Sequence, residues 1–148
     1  MLATMEIKTY YFIGIGGIGM SAIARYLKTM GHNVFGYDRT ATQLTKDLES
    51  EGIDITYEDD TNHILSANVD LVIYTPAIGQ DNNILQCAKD NNMPKSANII
   101  LLGMAAKYIG ILSPKQLRES IARVFAPKGE TIVEMNLKAF DLGMNAVK

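Results

Sequence analysis

The sequence contains no tryptophan, one cysteine, two histidines and four prolines in 148 residues. Cys87 alone cannot build an intrachain disulfide framework or hold an iron–sulfur cluster, and with only His32 and His63 beside it no Cys/His zinc constellation can be written. Long apolar runs are also missing. The longest, Ile99 to Ala106, has eight residues with Gly103 inside it, against the ~20 needed to span a bilayer. The N-terminus has no basic n-region and carries Glu6 early, so no signal peptide is expected and the expected setting is cytoplasmic. Neither charge dominates: 14 Lys and Arg stand against 16 Asp and Glu, net -2. That balance argues against nucleic acid or a membrane surface as partner, and points to a small-molecule ligand instead.

What is present is material for a core. Hydrophobic residues make up 47% of the chain, and a chain of this size buries roughly 68–70% of its unfolded surface, so one domain spanning residues 1–148 is expected. Its charge is uneven. Residues 1–96 hold seven Lys and Arg against twelve Asp and Glu, whereas residues 97–148 hold seven against four.

Tyr10 to Ile13 is a short aromatic and β-branched run, the pattern of a strand buried on both faces. Met20, Ile23, Leu27 and Met30 then recur at helical spacing up to Gly31. Asn33–Tyr37 reads as a second strand, and a helix capped by Thr40, with Gln43 at the capping-box position, runs to Gly52. A third strand follows over Ile53–Tyr57, then a short helix at His63–Ser66, a fourth strand over Asp70–Thr75 and a helix from about Asn82 to Asn91 capped by Asp81. Alternation of this kind gives right-handed βαβ units and a parallel sheet. The fold class is therefore α/β, a Rossmann-like three-layer fold with about four strands in the order 3-2-1-4. After Pro94 helices alone are expected: an apolar one over Ala97–Ile109, which also offers a surface for self-association, one starting at Ser113-Pro114 with Leu117, Ile121 and Val124 inward, and one over Glu130–Val147.

Gly14, Gly16 and Gly19 satisfy G-x-G-x-x-G between the first strand and first helix. In such a turn the first glycine permits the bend, the second allows close backbone approach to a phosphate, and the third allows helix and sheet to pack closely. The helix N-terminus adds unpaired N–H groups and partial positive charge, so the implied chemistry is anion binding. Asp38, 19 residues after Gly19, ends the second strand where a carboxylate could accept from a ribose or base. Other polar residues are read blandly: His32 as an exposed capping residue, His63 as outside any chemistry, and Glu58 to Asp60 as a solvated turn.

The run Phe12-Ile13-Gly14-Ile15-Gly16-Gly17-Ile18-Gly19-Met20-Ser21 resembles the opening of Mur ligases of the UDP-N-acetylmuramate–L-alanine ligase type. Gly36-Tyr37-Asp38-Arg39, Leu48 to Ile53, and Val72 to Ile78 followed by Asp81-Asn82 are similar to that family in order and spacing, so the resemblance covers roughly residues 7–94. It implies a domain that binds the UDP part of a substrate. Gly14, Ile15, Gly16, Gly17, Ile18 and Gly19 would then cradle the diphosphate, Asp38 and Arg39 would lie near the uridine, and Thr75, Pro76 and Ala77 would line the crevice. Tyr57-Glu58 stands where many members carry a Gly-His pair. No Gly-Lys-Ser/Thr phosphate loop occurs, so a binding module without ligase activity of its own is expected, with no firm cofactor. An NAD site on the same loop is the alternative, and a structural protein without ligand a third reading.

Residues from about 96 to 148 resemble a different family, the C-terminal end of the gamma subunit of 2-oxoacid:ferredoxin oxidoreductases. The resemblance rests on Ala97 to Gly103, Gly110 to Ser113 and Lys128 to Phe140. It implies a helical structural segment joined to the Mur-like half (residues 1–95) near Met93 to Ser96, where the charge balance changes sign.

Overall fold

A computed structural model of the chain describes residues 6–75, 77–93, 95–96, 103 and 113–146. The chain forms two compact units that divide between Lys95 and Ser96. The first alternates β1 (Thr9–Ile13), α1 (Ile18–Thr29), β2 (Asn33–Tyr37), α2 (Gln43–Ser50), β3 (Asp54–Thr56), α3 (Thr61–Ser66), β4 (Leu71–Tyr74) and α4 (Asn83–Asp90), and a two-residue strand, β5 (Lys95–Ser96), falls on the division itself. The sheet order is β3-β2-β1-β4-β5. β1 pairs in parallel with both β2 and β4, as the alternation requires, and the expected four-strand order 3-2-1-4 is present with β5 added at its edge.

All five residues of β1 are buried, because the strand is central and covered on both faces. Side chains alternate across the sheet. Tyr11 and Ile13 join Tyr37 and Val72 beneath Ile64 of α3 and Ile84, Leu85, Cys87 and Ala88 of α4. Tyr10 and Phe12 are therefore left for the opposite face, and α1 contributes its own buried stripe of Met20, Ile23, Ala24 and Leu27. In β2, a Cβ on Gly36 would lie 2.5 Å from Ile15 Cδ1, so glycine is what lets the loop side chain sink against the strand.

Three helix starts differ from expectation. α2 is capped by Thr42, not Thr40, with Thr45 completing the box. α4 is capped by Asn82 rather than Asp81, and Asp59 adds its carboxylate to the amides of Asn83 and Ile84 at 2.8 and 3.0 Å. Asp60 caps α3. Two of the three acidic residues in Glu58 to Asp60 are thus helix caps, satisfying amides that have no intrahelical carbonyl.

His32 is not exposed. It is buried, its Nδ1 accepts from the Lys8 amide at 3.2 Å, and its ring stands edge-on to Tyr10. Burial, then the nearby Lys8 charge, hold its pKa below the ordinary value. Because the unfolded chain takes up this proton at higher pH than the folded one, the stabilisation is present above the unfolded pKa of about 6.5 and is lost as pH falls below it. Thermal unfolding of the wild type is expected to shift downward between pH about 7 and about 5, with a smaller shift in His32→Gln. His63 bridges three elements: Tyr11 Oη lies 2.7 Å from its Nδ1 and Asp54 Oδ1 3.0 Å from its Nε2. Burial, then Asp54, push the Tyr11 hydroxyl pKa up. These contacts tie β1, α3 and β3 together from the buried Tyr11 out to the exposed Asp54.

In the second unit, α5 (Pro114–Phe125), a 3-10 turn (Ala126–Lys128) and α6 (Glu130–Ala146) follow the sequence reading closely. Ser113 and Gln116 form the expected capping box with Pro114 in the first turn. Leu117 and Ile121 pack with Phe140, and Phe125, Leu137 and Met144 lie against them. Val124, expected inward, is 67% exposed, and Phe125 takes the inner place. Arg118 pairs with Asp141 across the two helices. The helix expected over Ala97–Ile109 lies outside the described residues except for Gly103, which is helical and buried. Among the described residues no helix is long and apolar enough to cross a membrane.

Candidate functional site

In an open parallel sheet, ligands bind beyond the carboxyl ends of the strands where the strand order reverses. Here that point lies between β1 and β4. A cleft of about 520 Å³ opens there, reached by Gly14 and Gly17 after β1, Asp38, Arg39 and Thr40 after β2, and Thr75 and Ala77 after β4. Asn82 closes the far wall beside Tyr37.

The turn after β1 is tightly specified. Gly14 has φ +89°, a left-handed backbone, and a Cβ there would lie 2.5 Å from Thr75 Cγ2. The amides of Gly14 and Ile15 both donate to Tyr37 O, at 2.8 and 3.0 Å, and the Gly16 amide donates to Asp38 Oδ2 at 2.7 Å. Three successive amides are therefore held by the end of β2. α1 begins after Gly17, with no side-chain cap and no acidic residue in its first turn. Its first amides lack intrahelical partners, so this end presents N–H donors and the positive end of the helix dipole to an anion.

Of the residues expected to form the site, Gly14, Gly17, Asp38, Arg39, Thr75 and Ala77 line one cleft. Ile15 is buried against Gly36 and contributes no side chain to it. Gly16 sits behind Asp38. Ile18 is 88% exposed at the start of α1, outside the cleft lining. Gly19 does not serve helix–sheet packing: it is exposed, and a Cβ there would meet nothing within 4 Å. Pro76 lies outside the described residues. Tyr37, Thr40, Gly79, Asp81 and Asn82 join the lining without having been expected, because their place depends on pairings across the sheet. Burial, then Asp59 and Asp38, raise the Tyr37 pKa, so its hydroxyl stays protonated and able to donate.

Among the described residues Arg39 is the only Lys or Arg in the cleft lining. Of the three carboxylates there, Asp38 and Asp59 are already bound to backbone amides. The Tyr57 hydroxyl donates to Glu49 at 2.9 Å, and neither Tyr57 nor Glu58 reaches this cleft. A larger hollow of about 780 Å³ beside α3 and α4 is lined by Glu58, Asp59, Asp60, Cys87 and Asp90 among others. Among the described residues no group of three or more His, Cys, Asp and Glu side chains could hold a metal ion.

Sheet order, glycine turn and cleft define a Rossmann-like α/β domain with an uncapped helix start at its switch point. The model of the Mur ligase family, catalytic domain, matches residues 9–108, and the chain belongs to that family. It is 47% identical over 104 residues to the UDP-N-acetylmuramate–L-alanine ligase of Christiangramia forsetii, covering 67% of this chain and 23% of the relative. With the same ligase of Flavobacterium johnsoniae it shares 54% over 76 residues, 49% of this chain and 17% of that one. The crystal structure of the UDP-N-acetylmuramate–alanine ligase of Thermotoga maritima superposes with a TM-score of 0.61 at 32% identity, covering 68% of this chain and 23% of that one. The chain thus spans about a fifth of the length of the curated relatives it matches. The family match continues to residue 108, past both the expected end of the resemblance at 94 and the division between the compact units.

Proposed function

We propose that the chain is a UDP-sugar-binding module of the Mur ligase type, acting in the cytoplasm in peptidoglycan biosynthesis. The observation that carries this reading is the uncapped start of α1 beside the glycine turn and cleft, in a chain whose relatives are named for a UDP-linked substrate. The diphosphate lies at the first turn of α1, and Arg39, Thr40 and Asn82 face the nucleoside and sugar. Binding, not ligation, is the activity assigned to these residues. NAD is disfavoured because Asp38, the carboxylate that would accept its ribose hydroxyls, already accepts from two backbone amides. For residues 113–146 we propose a structural role without cofactor; the resemblance to an oxidoreductase gamma subunit expected over about 96–148 does not carry this reading, since the Mur ligase match already runs to residue 108. Their own small core around Phe140 supports it.

Isothermal titration with UDP-N-acetylmuramate, UDP-N-acetylglucosamine and NAD tests the proposal. Saturable heat with the UDP-sugars and none with NAD at the same concentration is expected. Tighter binding of NAD than of either UDP-sugar, or no binding by a folded protein, would overturn it.

A further inference from the structure

We infer that Asp38 is a positioning residue, whose carboxylate shapes the glycine turn for an anion instead of reading the ribose. This rests on the diphosphate reading above. Asp38 Oδ2 accepts from Gly16 N–H at 2.7 Å and Oδ1 from Thr40 N–H at 3.0 Å, so one side chain ties the turn after β1 to the loop after β2. Its own amide donates to Thr56 O of β3 at 3.2 Å, which fixes the residue from behind. A Cβ on Gly16 would lie 2.7 Å from Oδ2, so the middle glycine of the motif makes room for this carboxylate. With the Gly14 and Ile15 amides given to Tyr37 O, no amide from Gly14 to Gly16 remains to face a phosphate, and the donors begin at α1. Each Asp38 oxygen keeps another lone pair, but a hydroxyl would have to share a charge-assisted bond that is already short without ligand. Asp38 therefore contributes to affinity through where it holds the turn, and the 2′- and 3′-hydroxyls of a uridine diphosphate gain nothing from it.

The test crosses protein and ligand changes on the whole chain. UDP, 2′-deoxy-UDP and 3′-deoxy-UDP are titrated into the wild type, Asp38→Asn and Asp38→Ala, and Gly16 amide exchange is followed by NMR without ligand. Asp38→Ala is expected to weaken all three ligands by about tenfold and to speed Gly16 exchange, with Asp38→Asn recovering part of both, because its single amide oxygen can accept from Gly16 while its NH2 is left facing the Thr40 N–H. The ratio of deoxy to parent affinity should stay within about twofold across the three proteins. A ratio that collapses by about tenfold in Asp38→Ala would show direct ribose reading and overturn the assignment. So would a Gly16 amide that exchanges freely in the wild type, a result independent of any ligand. A wild type with a protected Gly16 amide that binds no UDP overturns the binding reading instead, and this assignment's ligand half with it.

Discussion

Phe140→Ala is expected to cost the second unit about 3–5 kcal/mol, the range for truncating a fully buried aromatic residue. Phe140 has no exposed surface and touches both inward residues of α5, Leu117 and Ile121, so its ring is the common centre of a small cluster. The cluster cannot easily collapse around the gap. A Cβ on the buried Gly103 would run into the Phe140 carbonyl, which means that the backbones at 103 and 140 already approach as closely as glycine allows. Among the described residues, only Leu117, Ile121 and Phe140 form this buried cluster, so each contributes a large share of the apolar area that holds α5 on α6, at roughly 25 cal/mol per Å². Amide exchange across 114–146 is the measurement, and protection within about 1 kcal/mol of wild type would refute the central role given to this ring.

Gly16→Val is expected to lower stability by about 3 kcal/mol or more, as well as to remove UDP binding. From the motif alone, a valine at this position should block the ligand and leave the fold intact. The geometry says otherwise, since its Cβ would lie 2.7 Å from Asp38 Oδ2 and 3.0 Å from Thr45 Cγ2. Thr45 is fully buried and locked into the α2 capping box, so it cannot yield. The carboxylate must move, at a cost of about 1.5–3 kcal/mol for a hydrogen bond to a charged group plus about 1–3 kcal/mol of overpacking. Urea denaturation beside calorimetric titration checks both halves, and loss of binding with unchanged stability would restore the simpler view.

The sheet was readable from the sequence because its strands are short, strongly apolar and bounded by turn residues. Asn33–Tyr37 matches to the residue, and β1 and β4 match to within one residue at each end. Sequence and structure part where two local solutions compete. Thr40 and Thr42 both precede an apolar run by helical spacing, and only Thr42 has a hydroxyl partner at its third helical position. Val124 and Phe125 are both at helical spacing from Ile121, and the larger ring wins the interior. The site was partly legible, since the glycines, Asp38 and Thr75 are close to motif or strand end. What lay beyond reach was tertiary: His32 is buried by a segment 24 residues earlier, and Asn82 meets Tyr37 only because α4 returns over the sheet. Gly19 differs for the opposite reason: the packing role that the motif gives it in dinucleotide folds is one that the exposed start of α1 does not need.

The grip of Tyr37 and Asp38 on three consecutive amides also bears on portability. A loop that owed its shape to its own glycines could be grafted onto another parallel sheet as residues 14–19 alone. This one could not, since half of the instructions for its curve are written at the end of a neighbouring strand. A transplant must carry both strand ends, and a lineage changing one must change the other.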